Sequence, residues 1–235
     1  MLDLSDRGFR NIAYDQRGCG RSDQPSCGYD FTTYADDLTT LIEHLDLRDV
    51  TLVGYSLGGG VVARYLSRHG SNRIAKVALI GSTTPYLLKA EDNPEGMDRS
   101  LVYDPFLAGL RTDRPQLLAN LAAPFFGLGR PGIAISAEMV QWATQMCLRA
   151  SAKGMIDLYQ VSCQSDLRPD MNAFTMPTLV IHGDADLFAP LDVTAQRTAQ
   201  AIPASRLKVY ENAAHGLFLT HREQLSNDLV AFIGE

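Results

Sequence analysis

"LVGYSLGGGVVARYL", residues 52–66, sets a serine between glycines where an apolar run gives way to a helical pattern. The run "VTLVGY" (50–55) has the β-branched, largely apolar character of a strand. "LGGGVVARYLSRHG" (57–70) then repeats its apolar residues at helical spacing and stops at Gly70. A chain that leaves a strand and enters a helix within one residue strains the backbone of that residue, which only small neighbours tolerate. Gly54 and Gly58 are read as supplying that clearance, and Gly59 with Gly60 as letting the helix lie close to the sheet. The corner lifts the Ser56 hydroxyl clear of the sheet edge, beside the unpaired N–H groups of a helix start. That is where a nucleophile belongs.

The same strand–helix alternation runs through both ends of the chain. "RNIAYD" (10–15) reads as a buried strand, and "TYADDLTTLIEHLDL" (33–47) as an amphipathic helix with Leu38, Leu41, Ile42 and Leu45 on one face. "IAKVALIG" (74–81), "PTLVIHG" (177–183) and "SRLKVYE" (205–211) read as further strands. Helices are expected over "LDVTAQRTAQAI" (191–202) and "HREQLSNDLVAFI" (221–233). Such alternation implies an α/β fold, a mostly parallel sheet joined by crossovers and flanked by helices. Residues 83–176 break the rhythm with most of the eleven prolines and helical stretches such as "ISAEMVQWATQMCLRA" (135–150). They read as a helical cap inserted into a core of residues 1–82 and 177–235, over the carboxyl edge where parallel sheets keep their ligands. A small structural lobe is the alternative.

Composition narrows the function classes. The 235 residues suffice for one sizeable domain, and 46% hydrophobic against 20% charged residues excludes a disordered chain. A formal charge of −6 without a basic cluster argues against nucleic acid. No apolar run reaches the roughly 18 residues of a membrane helix. The opening "MLDLSDRGFR" is acidic and polar, unlike a secretory leader, so a cytoplasmic protein is expected. Cys19, Cys27, Cys147 and Cys163 lack metal-ligand spacing and read as free thiols rather than a disulfide pair. No metal site and no cofactor is indicated.

A serine hydroxyl needs a base, and the base an orienting carboxylate. His44 and His69 fall at helix ends, His221 at a helix start, and His182 inside "VIHGDAD", where packing or support of the site explains it. His215, in "ENAAHGLF" just past the last strand, emerges on the same sheet edge as Ser56. The loop after the preceding strand, "HGDADLFAP", offers Asp184 and Asp186. Asp186 lies deeper in the loop with the reach to meet His215, and Asp184 is expected to brace the turn by accepting backbone N–H groups. The order Ser56, Asp186, His215 is that of α/β-hydrolases.

With those residues in place, the chain resembles an α/β-hydrolase, in particular the cofactor-free haloperoxidase, perhydrolase and arylesterase branch. The likeness rests on "YDQRGCGRSDQP" (14–25), residues 33–70, "PTLVIHGDADLFAP" (177–190), "HGLFLTHREQLSNDLVAFI" (215–233) and the segment around "APFFGLGRPG" (123–132). It implies Ser56 as nucleophile, Asp186 as acid, His215 as base and the Leu57 backbone N–H as an oxyanion donor. It implies structural roles for Asp15 and Arg17 in the loop "DQRGCGRS" (15–22), and turns permitted by Gly18 and Gly20. Members of that branch hydrolyse esters, and many let hydrogen peroxide replace water at the acyl-enzyme, giving a peracid that oxidises halide without a metal. In such hydrolases a second oxyanion donor comes from a His-Gly loop after an earlier strand. "LDLSDRGFR" matches the helix before the family's D-x-R-G-x-G-x-S strand, so the sheet is expected to be N-terminally short and that donor missing. Losing one such donor typically costs on the order of 10²–10³ in turnover. The expected gap beside "VTLVGY" is closed by "RNIAYD" shifting onto it, or by a second chain in a homo-oligomer, unless the sequence is a fragment.

The resulting expectation is a serine hydrolase of the carboxylesterase or arylesterase type acting on small esters, with peroxide-dependent perhydrolysis in prospect. A C–C bond or lactone hydrolase with the same triad, and a non-catalytic hydrolase scaffold, are the alternatives. A dehalogenase is disfavoured because those enzymes carry aspartate where this chain has Ser56. The expected substrate pocket is formed by Tyr55, Phe125, Phe126, Trp142, Leu187, Phe188 and Leu217, and the aromatics among them serve equally well as plain core.

Overall fold

In the computed structural model, residues 2–235 are described. They form, in chain order, α1 (Leu2–Asp6), α2 (Phe31–His44), β1 (Val50–Tyr55), α3 (Gly58–His69) and β2 (Ile74–Ile80). Four helices follow, α4 (Arg99–Thr112), α5 (Arg114–Phe126), α6 (Ala137–Leu148) and α7 (Ala152–Gln164), then a 3₁₀ turn at Pro169–Ala173. The chain closes with β3 (Thr178–Gly183), α8 (Ala195–Ala201), β4 (Ser205–Tyr210), α9 (Leu217–Thr220) and α10 (Arg222–Gly234). The strands make one parallel sheet in the order β1-β2-β3-β4, with Val53 opposite Ala78, Leu79 opposite Val180 and Ile181 opposite Lys208. Among the described residues no helix is long and apolar enough to cross a membrane.

Strand periodicity of two explains the two cores. Val77 and Leu79 of β2 point to one face, where they meet Leu38 and Ile42 of α2 and Val61 and Leu66 of α3. Ala78 and Ile80 point to the other, where Leu179 and Ile181 of β3 join Leu225, Leu229 and Phe232 of α10. α2 begins where it does because the Asp30 side chain accepts from the Thr33 N–H, the usual satisfaction of an orphan donor at a helix start. Leu45 lies just past the end of α2 and is exposed, so it does not continue the apolar face expected for it. Residues 83–176 carry a separate small cluster, Leu87, Leu88, Tyr103, Leu107 and Cys163. Their helices are capped one by one by Asp98, Asp113, Ser136 and Ser151.

One expected strand is absent. "RNIAYD" runs as an irregular segment, exposed at Ile12 and Tyr14, and residues 10–15 make no backbone–backbone hydrogen bond with the described residues. A strand is defined by its neighbour, and among the described residues β1 pairs only with β2. The outer edge of β1 consequently faces no strand of the described residues, and Val53 in its middle is 49% exposed. The helix expected over 191–202 is shorter than its pattern, because Pro190–Thr194 forms a turn before α8 begins.

Candidate active site

β1 runs into α3 through Tyr55-Ser56-Leu57, and Ser56 takes φ +51°, a left-handed conformation that is costly for a side chain other than glycine. The corner is tight for a steric reason. A Cβ on Gly54 would lie 2.8 Å from the Gly58 carbonyl oxygen and 2.9 Å from the Gly59 Cα, and one on Gly59 would collide with Ser82. Gly58 departs from the expectation, since a Cβ there meets nothing within 4 Å. The clearance is on the strand side of the serine and one residue further into the helix. The Leu57 N–H donates to no acceptor among the described residues, leaving it available beside the Ser56 hydroxyl.

The structure brings Ser56, His215 and Asp186 together from three different connections of the sheet. His215 Nδ1 lies 2.6 Å from Asp186 Oδ2, and His215 Nε2 lies 2.9 Å from Ser56 Oγ. A carboxylate only accepts, so the proton sits on Nδ1, and Nε2 is left as the acceptor for the Ser56 O–H. Asp186 and His215 are buried, whereas Ser56 is partly open. The second carboxylate oxygen, Asp186 Oδ1, accepts the Phe188 and Ala189 N–H groups, each at 2.9 Å. Asp186 therefore braces its own turn, a role expected of Asp184. Asp184 is exposed and its side chain makes no hydrogen bond with the described residues.

The remaining sequence candidates separate into groups. The Tyr55 O–H donates to the His215 carbonyl at 3.0 Å, and its ring tilts against the imidazole with centroids 5.2 Å apart. Burial and the charge of Asp186 raise the Tyr55 phenol well above its ordinary pKa, so it remains a donor. Sequence reasoning placed Tyr55 among pocket residues and missed this hold on the base; its position one residue before Ser56 was the available signal. Phe125 and Phe188 also pack on the His215 ring, at 5.3 and 5.5 Å. The Gly216 N–H donates to the Phe125 carbonyl at 2.7 Å, tying the end of α5 to the histidine turn. Phe126 is buried against Phe125 and beneath Gly216. Leu217 is fully buried among Ile80, Ile181 and Leu225, so it belongs to the core. Trp142 is 54% exposed on α6, which buries none of its residues, and Leu187 is 59% exposed.

The other histidines lie apart, with one exception. His69 pairs with Asp36 through Nε2 at 2.7 Å, His221 Nδ1 meets the Thr220 hydroxyl at 2.9 Å, and His44 is exposed. His182 is fully buried beside Asp186. In the loop after residue 15, Arg17 makes a two-pronged ion pair with Asp37, at 2.5 and 2.6 Å. Asp15 accepts the Arg21 N–H, and Gly18 and Gly20 take positive φ. All four cysteines are free. Among the described residues no cluster of metal-ligating side chains occurs.

Comparison with known proteins places the whole chain in one family. The profile described as "alpha/beta hydrolase fold" matches residues 1–222. A non-heme haloperoxidase of Rhodococcus erythropolis is 39% identical over 234 residues, covering 99% of this chain and 85% of the relative. A bifunctional esterase/perhydrolase of Acinetobacter calcoaceticus is 33% identical over 234 residues, covering 99% and 84%. Among solved structures, bromoperoxidase from Bacillus anthracis superposes with a TM-score of 0.95 at 38% identity, over 100% of this chain and 85% of that one.

Proposed function

The chain belongs to the α/β-hydrolase family, and on that premise we propose that it is a serine esterase acting on small carboxylic esters through an acyl-enzyme on Ser56. The observation that carries the reading is the unbroken hydrogen-bonded series from Ser56 Oγ through His215 to Asp186 Oδ2, set at a strained strand-to-helix corner. His215 Nε2 accepts the Ser56 proton as Oγ attacks the ester carbonyl. The Leu57 N–H meets the developing oxyanion, and Asp186 stabilises the imidazolium that forms. The alcohol departs with the proton from Nε2. Water, deprotonated by the same nitrogen, then attacks the acyl-enzyme and releases the acid, restoring the Ser56 O–H.

Hydrogen peroxide in place of water gives a peracid from the same acyl-enzyme, with the peroxide proton going to His215. Relatives with haloperoxidase and perhydrolase names support this second outcome. The aromatic lining of Phe125 and Phe188 against His215 favours compact acyl groups, and residues 83–176 act as the cap that carries Phe125 to the site. The free edge of β1 supports self-association in a cytoplasmic protein, which light scattering on the purified chain measures. Hydrolysis of p-nitrophenyl acetate tests the main reading. Wild type should turn over and be labelled by a fluorophosphonate, and Ser56→Ala should fall to background in both. Turnover that survives Ser56→Ala overturns it. Bromination that depends on peroxide and carboxylate, and is lost in Ser56→Ala, is the expected result for the perhydrolytic outcome.

A further inference from the structure

His182 is the second histidine at Asp186, and no step above uses it. It sits on β3, four residues before the acid, and none of its surface reaches solvent. Its Nε2 lies 2.6 Å from the Ala189 carbonyl oxygen and 3.4 Å from Asp186 Oδ2. A carbonyl accepts and cannot donate, so the proton of a neutral His182 must be on Nε2. That fixes the tautomer and leaves Nδ1 as an acceptor, buried and without a hydrogen-bond partner among the described residues. Burial pushes the His182 imidazolium pKa below its ordinary value, against the pull of Asp186, and the nearby His215 works in the same direction as burial. The titratable groups facing it are those two.

An imidazole with one orphaned nitrogen is a poor way merely to fill a core, since an apolar side chain of that size would leave no acceptor unpaired. What a neutral imidazole supplies, and an apolar side chain does not, is an N–H that holds the far end of the turn carrying the acid. The Ala189 N–H donates to Asp186 Oδ1 while the Ala189 carbonyl accepts from His182. The donating Nε2 also lies 3.4 Å from Oδ2, the oxygen that holds His215, without a hydrogen bond to it.

We infer that His182 is a positioning residue for the acid. It clamps the 186–189 turn through Ala189 and holds Asp186 Oδ2 in line with His215 Nδ1. The inference rests on Ser56, His215 and Asp186 being the working triad. His182 touches no reacting atom and acts only through Asp186. Its neutrality is part of the role, because an imidazolium at 3.4 Å would compete with His215 for Oδ2.

The test pairs His182→Leu, which keeps bulk and loses the donor, with His182→Gln, whose amide N–H can reach the Ala189 carbonyl. In His182→Leu, kcat for p-nitrophenyl acetate should fall about tenfold to a hundredfold through loss of alignment, with KM little changed. His182→Gln should recover most of kcat. A folded His182→Leu with wild-type kcat, or a folded His182→Gln as impaired as His182→Leu, overturns the assignment. Long-range ¹H–¹⁵N spectra of the wild-type protein at neutral pH decide independently of either variant. A neutral Nε2–H tautomer is expected, and an imidazolium or an Nδ1–H tautomer overturns it. Wild type lacking Ser56-dependent turnover would instead remove the esterase reading, and is seen separately from these outcomes.

Discussion

The turn after β1 and the turn after β3 both deliver a side chain to the carboxyl edge of the sheet, and they are held by different forces. The Ser56 corner is steric: Gly54 packs on the backbone of Gly58 and Gly59, Gly59 packs on the Ser82 side chain, neither leaves room for a Cβ, and Ser56 itself is left in a left-handed conformation. The Asp186 turn is polar: two N–H groups bind one carboxylate oxygen, a histidine binds the other, and His182 closes it from beneath. Packing of this kind resists any added atom, whereas a hydrogen-bonded turn depends on which atom is a donor. The first should break in stability when it is altered, and the second in catalysis.

Asp186→Asn is the largest expected break on the polar side. The amide is close in shape to the carboxylate, so the turn should still fold around Oδ1. An amide nitrogen at the Oδ2 position offers an N–H to His215 Nδ1 and drives the imidazole to the wrong tautomer, with its proton on Nε2 facing Ser56. Turnover of p-nitrophenyl acetate should fall on the order of 10⁴-fold while the thermal midpoint moves little. Asp184→Asn, at an exposed side chain, should leave both unchanged. A comparable loss from Asp184→Asn would reverse the assignment of the acid.

Gly54→Ala is the matching break on the steric side. Its methyl would sit 2.8–2.9 Å from backbone atoms of Gly58 and Gly59, which can yield only if α3 moves off the sheet. Overpacking of this kind costs about 1–3 kcal/mol, read as a lower urea midpoint with an unchanged slope. Activity should fall as well, because Ser56 and the Leu57 N–H ride on the displaced helix. Wild-type stability in Gly54→Ala would mean that the corner is not sterically held.

How far the sequence discloses each turn follows from the same contrast. The Ser56 corner was legible because steric limits act on residue type: glycine before the serine, and strand and helix patterns on either side. The order of Ser56, Asp186 and His215 was legible because strand ends put all three on one edge. Depth in the loop singles out Asp186 as the partner of His215; what the sequence does not disclose is that the same carboxylate also braces the turn through Oδ1, the part expected of Asp184, since only the fold shows where its second oxygen points. Tyr55 reads as a pocket residue, and His182 as either packing or support of the site, because the direction of a single O–H or N–H is not written in residue type. "RNIAYD" failed differently. Its residues suit a strand, but pairing is a property of the neighbour, and β1 offers its other edge to β2 alone.

The smallest effect separates motif from mechanism within the steric corner itself. G-x-S-x-G gives the two flanking glycines equal standing, but the space around them is unequal. A Cβ on Gly58 meets nothing within 4 Å, and the residue does not take positive φ, so alanine fits its backbone without strain. Gly58→Ala should therefore stabilise the fold by about 0.4–1 kcal/mol, chiefly by restricting the unfolded chain at the first residue of α3. The thermal midpoint should rise slightly where that of Gly54→Ala falls. If Gly58→Ala instead loses stability, the corner needs both glycines and clearance is shared across the serine. If it gains stability but raises KM for the ester, the open space beside Gly58 is room kept for substrate, and the second glycine of the motif serves binding rather than folding.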